Sequence, residues 1–107
     1  MENEKVYITA KCPIRTTLEL VGGKWKLLIL HQLYNKPLRL SVLKATIPDI
    51  SEKMLIQELK VLVDSGLVHR ENFGEVPPRV EYSLTSKGKL VNPLIKEMVT
   101  FARCYTE

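Results

Sequence analysis

The sequence predicts an α+β fold that is mostly helical, and three observations lead to it. Residues 51–65 carry an amphipathic pattern with helical spacing that stops at a serine-glycine pair. Residues 67–73 and 79–84 have the composition of strands, and the second of them alternates strictly between polar and apolar side chains. Pro77-Pro78 lies between these strands and marks the tip of a hairpin, because a central strand does not accept two consecutive prolines. A helix followed by such a hairpin, or wing, is typical of a winged helix-turn-helix.

The length and composition fit a single globular domain, residues 1–107. Hydrophobic residues make up 45% of the chain and charged residues 26%, which argues against a disordered protein. No apolar run approaches the roughly 20 residues of a membrane span, and the N-terminus carries acids where a secretory signal carries positive charge. We therefore expect a cytoplasmic protein without membrane association, which two cysteines in so small a chain also fit.

Three helices are predicted before residue 51. The first begins after Cys12-Pro13, because proline is tolerated at an early helical position, and it ends at Gly22-Gly23. Apolar spacing then predicts a second helix over about residues 24–34 and a short third helix over about residues 39–45. The apolar side chains expected to form the buried face of the first helix are Leu18 and Val21, together with Ile14.

The fourth helix is predicted to begin after Ser51, a favourable N-cap, and we call it the reading helix. Helical spacing places Leu55, Leu59 and Leu62 on one buried stripe. The opposite face carries side chains that can hydrogen-bond base edges in the DNA major groove. The predicted base-reading residues are Ser51, Lys53, Ile56, Gln57 and Lys60. An ordinary solvated helix face would contain similar residues, so the order of the surrounding elements is what favours DNA binding.

The positive charge is concentrated before the reading helix. The net charge is +4, and residues 1–40 hold seven Lys/Arg against three Asp/Glu, whereas residues 41–89 hold seven of each. Glu52 and Glu58 on the reading helix would oppose phosphate binding. Because helix N-termini and cations both favour anions, basic residues at the helix starts and on the wing are predicted to contact phosphate. These residues are Lys24, Lys36, Arg39 and Arg79.

The assembled motifs resemble the HxlR family of bacterial winged-helix transcription regulators. The matching segments span residues 12 to about 90 and are Cys12-Pro13, Gly22-Gly23-Lys24-Trp25, Pro37-Leu38-Arg39, Ile50-Ser51, Lys53-Met54-Leu55, Gly66-Leu67-Val68, Val76-Pro77-Pro78-Arg79-Val80-Glu81-Tyr82 and Leu84-Thr85. The resemblance implies a homodimer, formed through the first and last helices, that binds a near-palindromic double-stranded DNA operator as a repressor or activator. In several members the cysteine of the Cys-Pro pair responds to electrophiles or oxidants. Ile56 and Glu58 depart from the polar uncharged residues common at these positions, which bears on the operator sequence.

The last helix is predicted over about residues 86–105, capped by Thr85, with a kink or a later start at Pro93. Its apolar stripe is wider than a domain of this size readily covers, so we expect a partner subunit to pack on it. The residues of this stripe are Leu90, Val91, Leu94, Ile95, Met98, Phe101, Ala102 and Tyr105. The alternative is a helix packed wholly on its own core.

The two thiols have different settings in the sequence. Cys12 lies at a helix start beside Lys11 and Arg15, where a reactive thiolate is favoured, although an inert and partly buried thiol is the alternative. Cys104 either packs within the last helix or acts as a resolving partner for Cys12. No set of residues has metal-ligand spacing, a phosphate-binding loop or an activated nucleophile, so we expect neither a cofactor nor an enzyme.

Two functions from different classes follow from these observations. The first is a dimeric, sequence-specific DNA-binding transcription regulator, with or without a response to a small electrophile or oxidant at Cys12. The second is a winged-helix module for protein–protein interaction that does not bind DNA, and the balanced charge of residues 41–89 is its support. Binding to duplex DNA at low salt separates the two.

Overall fold

The computed structural model describes residue 9 and residues 11–107, and within them it contains six helices and a two-stranded sheet. In chain order these are α1 (Pro13–Val21), α2 (Lys26–Gln32), α3 (Leu40–Thr46), α4 (Glu52–Asp64), β1 (Val68–Asn72), β2 (Val80–Leu84), α5 (Ser86–Lys89) and α6 (Asn92–Thr106). This order confirms the mostly helical, winged helix-turn-helix fold. The N-terminal acids used in the prediction about a secretory signal lie outside the described residues.

The core forms where α2, α3 and α4 pack together and on the start of β1. The predicted stripe of α4 is confirmed, since Leu55, Leu59 and Leu62 are all buried. The side chains that face them from the other elements are Ile29, Leu30, Leu33, Leu43, Ile47, Ile50, Leu67 and Val68. No polar or charged residue of the described chain is buried in this core, so its packing is dominated by apolar contacts.

The buried face predicted for α1 is largely wrong. Val21 at the end of the helix joins the core, but Ile14 and Leu18 are 55% and 62% exposed. The apolar residues do recur at helical spacing, but most of them do not pack on the core, because none of the described elements covers the outer side of α1 along its length. An apolar stripe is therefore left facing outward on this helix.

The wing consists of β1, β2 and the connecting residues 73–79. The strands are antiparallel, with Val68 opposite Leu84 at one end and Asn72 opposite Val80 at the other. The segment before α3 is joined to the same sheet, because the Leu38 N–H donates to the Tyr82 carbonyl at 2.9 Å and the Tyr82 N–H donates to the Leu38 carbonyl at 2.8 Å. This bridge fixes the wing beside the start of α3.

The C-terminal region contains two helices where one was predicted. The Thr85 hydroxyl caps α5 by accepting from the Gly88 N–H at 3.0 Å and donates to the Gly66 carbonyl at 2.6 Å. Pro93 lies in the first turn of α6, so the later start is confirmed. Proline is tolerated there because residues of the first turn donate no hydrogen bond within the helix, and the missing N–H of proline costs nothing. No residue of α6 is buried. Within the described part of the chain, none of the helices is long and apolar enough to cross a membrane.

Candidate nucleic-acid interface

The reading helix α4 presents one polar side to solvent. The Ser51 hydroxyl accepts a hydrogen bond from the Met54 N–H at 3.0 Å, which confirms the N-cap. Lys53, Gln57 and Lys60 are exposed on the side opposite the buried stripe, and Ile56 is half exposed at its edge. The structure thus brings together four of the five predicted base-reading side chains, while the hydroxyl of Ser51 is engaged with the helix backbone.

The turn between α3 and α4 holds the two helices in a fixed relation. Ile47 and Ile50 on either side of the turn are buried in the core. The Lys44 ammonium donates to the Pro48 carbonyl at 3.1 Å, which satisfies a carbonyl of the turn. A short helix, a tight turn between two buried isoleucines and a longer capped helix form the helix-turn-helix pair, with α4 as its second member.

Glu58 contributes less negative charge to the α4 surface than the sequence suggests. Its carboxylate forms an ion pair with the Lys26 ammonium of α2 at 2.9 Å, and the two side chains are only 15% and 17% exposed. The attraction is stronger than that of a solvated pair, because water is largely excluded from it. A helical wheel of α4 does not show this partner, since it comes from the packing of α2.

The three basic residues predicted at the helix starts are all exposed. Lys24 lies two residues before α2, and its ammonium lies 4.8 Å from the centroid of the Trp25 ring, within the range of a cation–π contact. Arg39 is the N-cap residue of α3, and Lys36 lies in the turn before it. Each of these cations is accessible to an anion in solvent.

Arg79 is held within the wing tip. Its guanidinium donates to both carboxylate oxygens of Glu75, at 3.1 and 3.0 Å, and to Glu81 at 3.3 Å. It also lies 3.7 Å from the centroid of the Phe73 ring. The hydrogen bond from Arg79 lowers the pKa of the Glu75 carboxyl. A DNA phosphate at this position must compete with two carboxylates, which the strand pattern alone does not reveal.

The two thiols are both free and lie in contrasting environments. Cys12 is the N-cap residue of α1 and is 2% exposed, whereas Cys104, near the end of α6, is exposed. Burial of Cys12 depends on tertiary packing, so it was not visible from the sequence. Across residues 11–107, no group of three His, Cys, Asp or Glu residues could hold a metal ion.

Sequence patterns missed two basic residues near the reading helix. Lys26 was not singled out, although it pairs with Glu58. The strand pattern indicates only that Arg70 belongs to β1, yet its side chain is exposed and lies opposite Tyr82 in the hairpin register. The register of the hairpin would have provided the signal for Arg70, because residues opposite each other in an antiparallel pair lie on the same face.

A short helix, a tight turn, a capped reading helix and a two-stranded wing define the winged helix-turn-helix class of transcription regulators. A model of the HxlR-like helix-turn-helix family matches residues 20–107, and the chain belongs to this family. It is 47% identical over 96 residues to YkvN of Bacillus subtilis strain 168, an HTH-type transcriptional regulator, covering 90% of this chain and 81% of that protein.

Solved structures of similar regulators share the fold. A putative transcriptional regulator of the MarR family from Porphyromonas gingivalis W83 is 46% identical, covers 94% of this chain and 97% of its own, and has a TM-score of 0.86. The redox regulator HypR in its oxidised form is 35% identical, with coverages of 87% and 96% and a TM-score of 0.81. The reduced form of the regulator YodB from B. subtilis is 38% identical, with coverages of 85% and 90% and a TM-score of 0.76.

Proposed function

We propose that this protein is a dimeric, sequence-specific DNA-binding transcription regulator. The observation that carries this proposal is the solvent-facing side of α4, where Lys53, Gln57 and Lys60 lie opposite a fully buried stripe. A glutamine amide can form two hydrogen bonds with adenine, and lysine can reach guanine in the major groove. Membership of a helix-turn-helix regulator family supports the same function.

In this proposal, cations outside α4 position the domain on the DNA backbone. Lys24, Lys36 and Arg39 contact phosphates, which fixes the orientation of the protein without reading sequence. Arg79 is a weaker contact, because its two carboxylate partners must be displaced before it can bind a phosphate. Pairing of Glu58 with Lys26 supports the proposal, since it removes one uncompensated carboxylate from the reading helix.

The proposed subunit interface is formed by α1 and α6. Leu18 on α1 and Phe101 on α6 are 62% and 72% exposed, and the rings of Phe101 and Tyr105 stack at 6.2 Å. Apolar surface of this extent is a mark of a protein–protein interface. A two-fold dimer would place two reading helices one turn of DNA apart, about 34–36 Å, and would therefore match a near-palindromic operator.

A gel-shift experiment tests the DNA-binding proposal with the full-length protein. DNA from upstream of its own gene and of neighbouring genes should contain a site bound with a nanomolar Kd that weakens steeply with salt. Non-specific affinity on every fragment would contradict the proposal. The absence of any duplex binding at low salt would instead favour the protein–protein module.

Matched variants divide the interface into base-reading and phosphate contacts. Gln57→Ala should relax sequence preference at one base pair, with a cost of about 1–3 kcal/mol on the preferred operator. Lys36→Ala should weaken binding to all sequences similarly and reduce the salt slope by about one. Lys96→Ala is the control, because this exposed lysine lies on α6, outside the predicted DNA contacts and outside the apolar stripe of that helix. Equal effects of all three variants would contradict the assignment.

We also propose that oxidation or alkylation of Cys12 changes DNA binding. Its support is the position of the thiol at the start of α1, one of the two helices proposed to form the dimer, together with the similarity to HypR and YodB. The structures of YodB include quinone-bound and diamide-treated forms. Because Cys12 is buried, a reagent reaches it only when the start of α1 opens.

The thiol proposal is tested by comparing Cys12→Ser with Cys104→Ser. Diamide or a quinone should change operator binding of the wild type, and Cys12→Ser should abolish this response. Cys104→Ser is the matched control, because it removes the second thiol and leaves Cys12 in place. If this variant also loses the response, the result would indicate a disulfide between Cys12 and Cys104. An unchanged response in Cys12→Ser would leave DNA binding in place and rule out sensing at this residue.

A further inference from the structure

An apolar groove lies between the reading helix, the start of α3 and the wing. Its volume is about 480 Å³. Ile56 and Val63 of α4 form one wall, and Val80 and Tyr82 of β2 form the other. This volume lies within the range of about 300–1,000 Å³ that is usual for small-molecule sites.

Two cations lie on the lining of this groove. Lys60 of α4 and Arg70 of β1 are both exposed, and Arg70 lies opposite Tyr82 in the hairpin. No carboxylate lines the groove. Among residues 11–107, the ion pairs formed by other basic side chains involve neither Lys60 nor Arg70. The groove therefore combines apolar walls with two positive charges that form no ion pair with a described acid.

We propose that this groove binds a small aromatic carboxylate. An aromatic ring would lie between the apolar walls and against the Tyr82 ring, where it is removed from water. The carboxylate would accept hydrogen bonds from the Arg70 guanidinium and the Lys60 ammonium, and such charge-assisted bonds are the stronger kind. An inorganic anion gains nothing from the apolar walls, and a cationic ligand is repelled by both basic residues.

Occupancy of the groove should interfere with DNA binding. A ligand held there would contact Ile56 and Lys60, which are two of the predicted base-reading residues on α4. The groove also opens between the reading helix and the wing, the two elements that would straddle the DNA backbone. This regulatory consequence rests on the proposed DNA-binding function, whereas binding of the ligand itself does not.

Isothermal titration calorimetry of the full-length protein without DNA tests the site directly. We use 1-naphthoate as the probe and 1-naphthamide as its neutral counterpart. Naphthoate should bind once per chain, and Arg70→Gln should weaken it about tenfold by removing a charged hydrogen bond. Naphthamide should bind more weakly and equally to both proteins. Arg103→Gln is the matched control, because this exposed arginine lies on α6.

The outcomes distinguish specific binding of the probe in the groove from non-specific binding. Equal naphthoate affinity in the wild type and in Arg70→Gln, or no binding at millimolar probe, would overturn the proposal. Val80→Phe provides a second test, because the added ring fills the groove from β2 and should abolish binding in a protein shown by circular dichroism to be folded. Naphthoate binding that survives this variant would also overturn the proposal.

Competition with DNA then tests the regulatory consequence. Naphthoate should raise the operator Kd of the wild type and have a smaller effect on Arg70→Gln. If naphthoate binds the groove without changing operator affinity, the site stands and its link to DNA binding is wrong. If the protein binds naphthoate but binds no DNA fragment, the ligand site again stands and the proposed DNA-binding function fails.

Discussion

At the wing tip, one guanidinium is shared by two carboxylates, and this contact depends on pH. The hydrogen bond from Arg79 lowers the pKa of Glu75 in the folded protein. The contact is therefore fully formed above the pKa of Glu75 in the unfolded chain, and it is lost as the pH falls through the lower, folded pKa. We expect the wing tip to loosen in acid before the core does.

An NMR titration of the Glu75 carboxyl carbon measures this effect. Arg79→Gln should raise the midpoint toward the ordinary value of a glutamate, because the charged donor is removed. Lys96→Gln removes a cation from α6 and should leave the midpoint unchanged. A Glu75 midpoint that is the same in the wild type and in Arg79→Gln would contradict the contact.

The N-cap of the reading helix gives a second prediction for a single residue. Ser51→Ala removes the acceptor for the Met54 N–H and should lower the free energy of unfolding by about 1 kcal/mol. Ser41→Ala is the matched control, since Ser41 is exposed on α3 and its hydroxyl caps no helix. Urea denaturation of both variants measures the difference. Equal stabilities would show that the cap contributes nothing.

Between elements, the ion pair from α2 to α4 holds the reading helix on the core. Lys26→Met leaves the Glu58 carboxylate without its partner in a largely enclosed position, and we expect a loss of about 1–3 kcal/mol in unfolding free energy. The double variant Lys26→Met, Glu58→Leu should recover most of this loss, because no unpaired charge remains. Denaturation of the single and double variants provides the measurement, and additive losses would contradict this role for the pair.

Local patterns predicted those elements whose structure depends on local chemistry. The capped start of α4 and its leucine stripe follow from the sequence, as do the second strand and the stop of α1 at Gly22. The exposure of Leu18, the burial of Cys12 and the partner of Glu58 did not follow. Each of these three features depends on tertiary packing. It is decided by whether another part of the chain packs against the residue, which local sequence does not show.

The same distinction applies to the candidate site. Exposure of Lys53, Gln57 and Lys60 is set by helical periodicity alone, so the sequence was sufficient. Engagement of Arg79 with Glu75 and the groove beside Arg70 require the three-dimensional path of the wing. A strand pattern gives the alternation of side chains but not the groups that approach them from a turn or from a neighbouring helix.

At the scale of the whole molecule, the exposed face of α6 predicts a dimer. Phe101→Glu places a charge in the apolar face proposed as the interface, and burial of an unpaired charge is costly. Analytical ultracentrifugation should give twice the chain mass for the wild type and the mass of one chain for the variant. Lys96→Glu, also on α6, changes a residue that is not part of the apolar stripe and should remain dimeric. A monomeric wild type would contradict the proposed assembly.

The backbone bridge between Leu38 and Tyr82 has a consequence for how such a regulator evolves. Both hydrogen bonds are made by main-chain groups of Leu38 and Tyr82, so the bridge involves no residue of the wing tip. Substitutions at the wing tip can therefore accumulate without altering the spacing between wing and reading helix. Under the proposed DNA-binding function, new operator preferences can arise by exchange of surface residues on an unchanged frame.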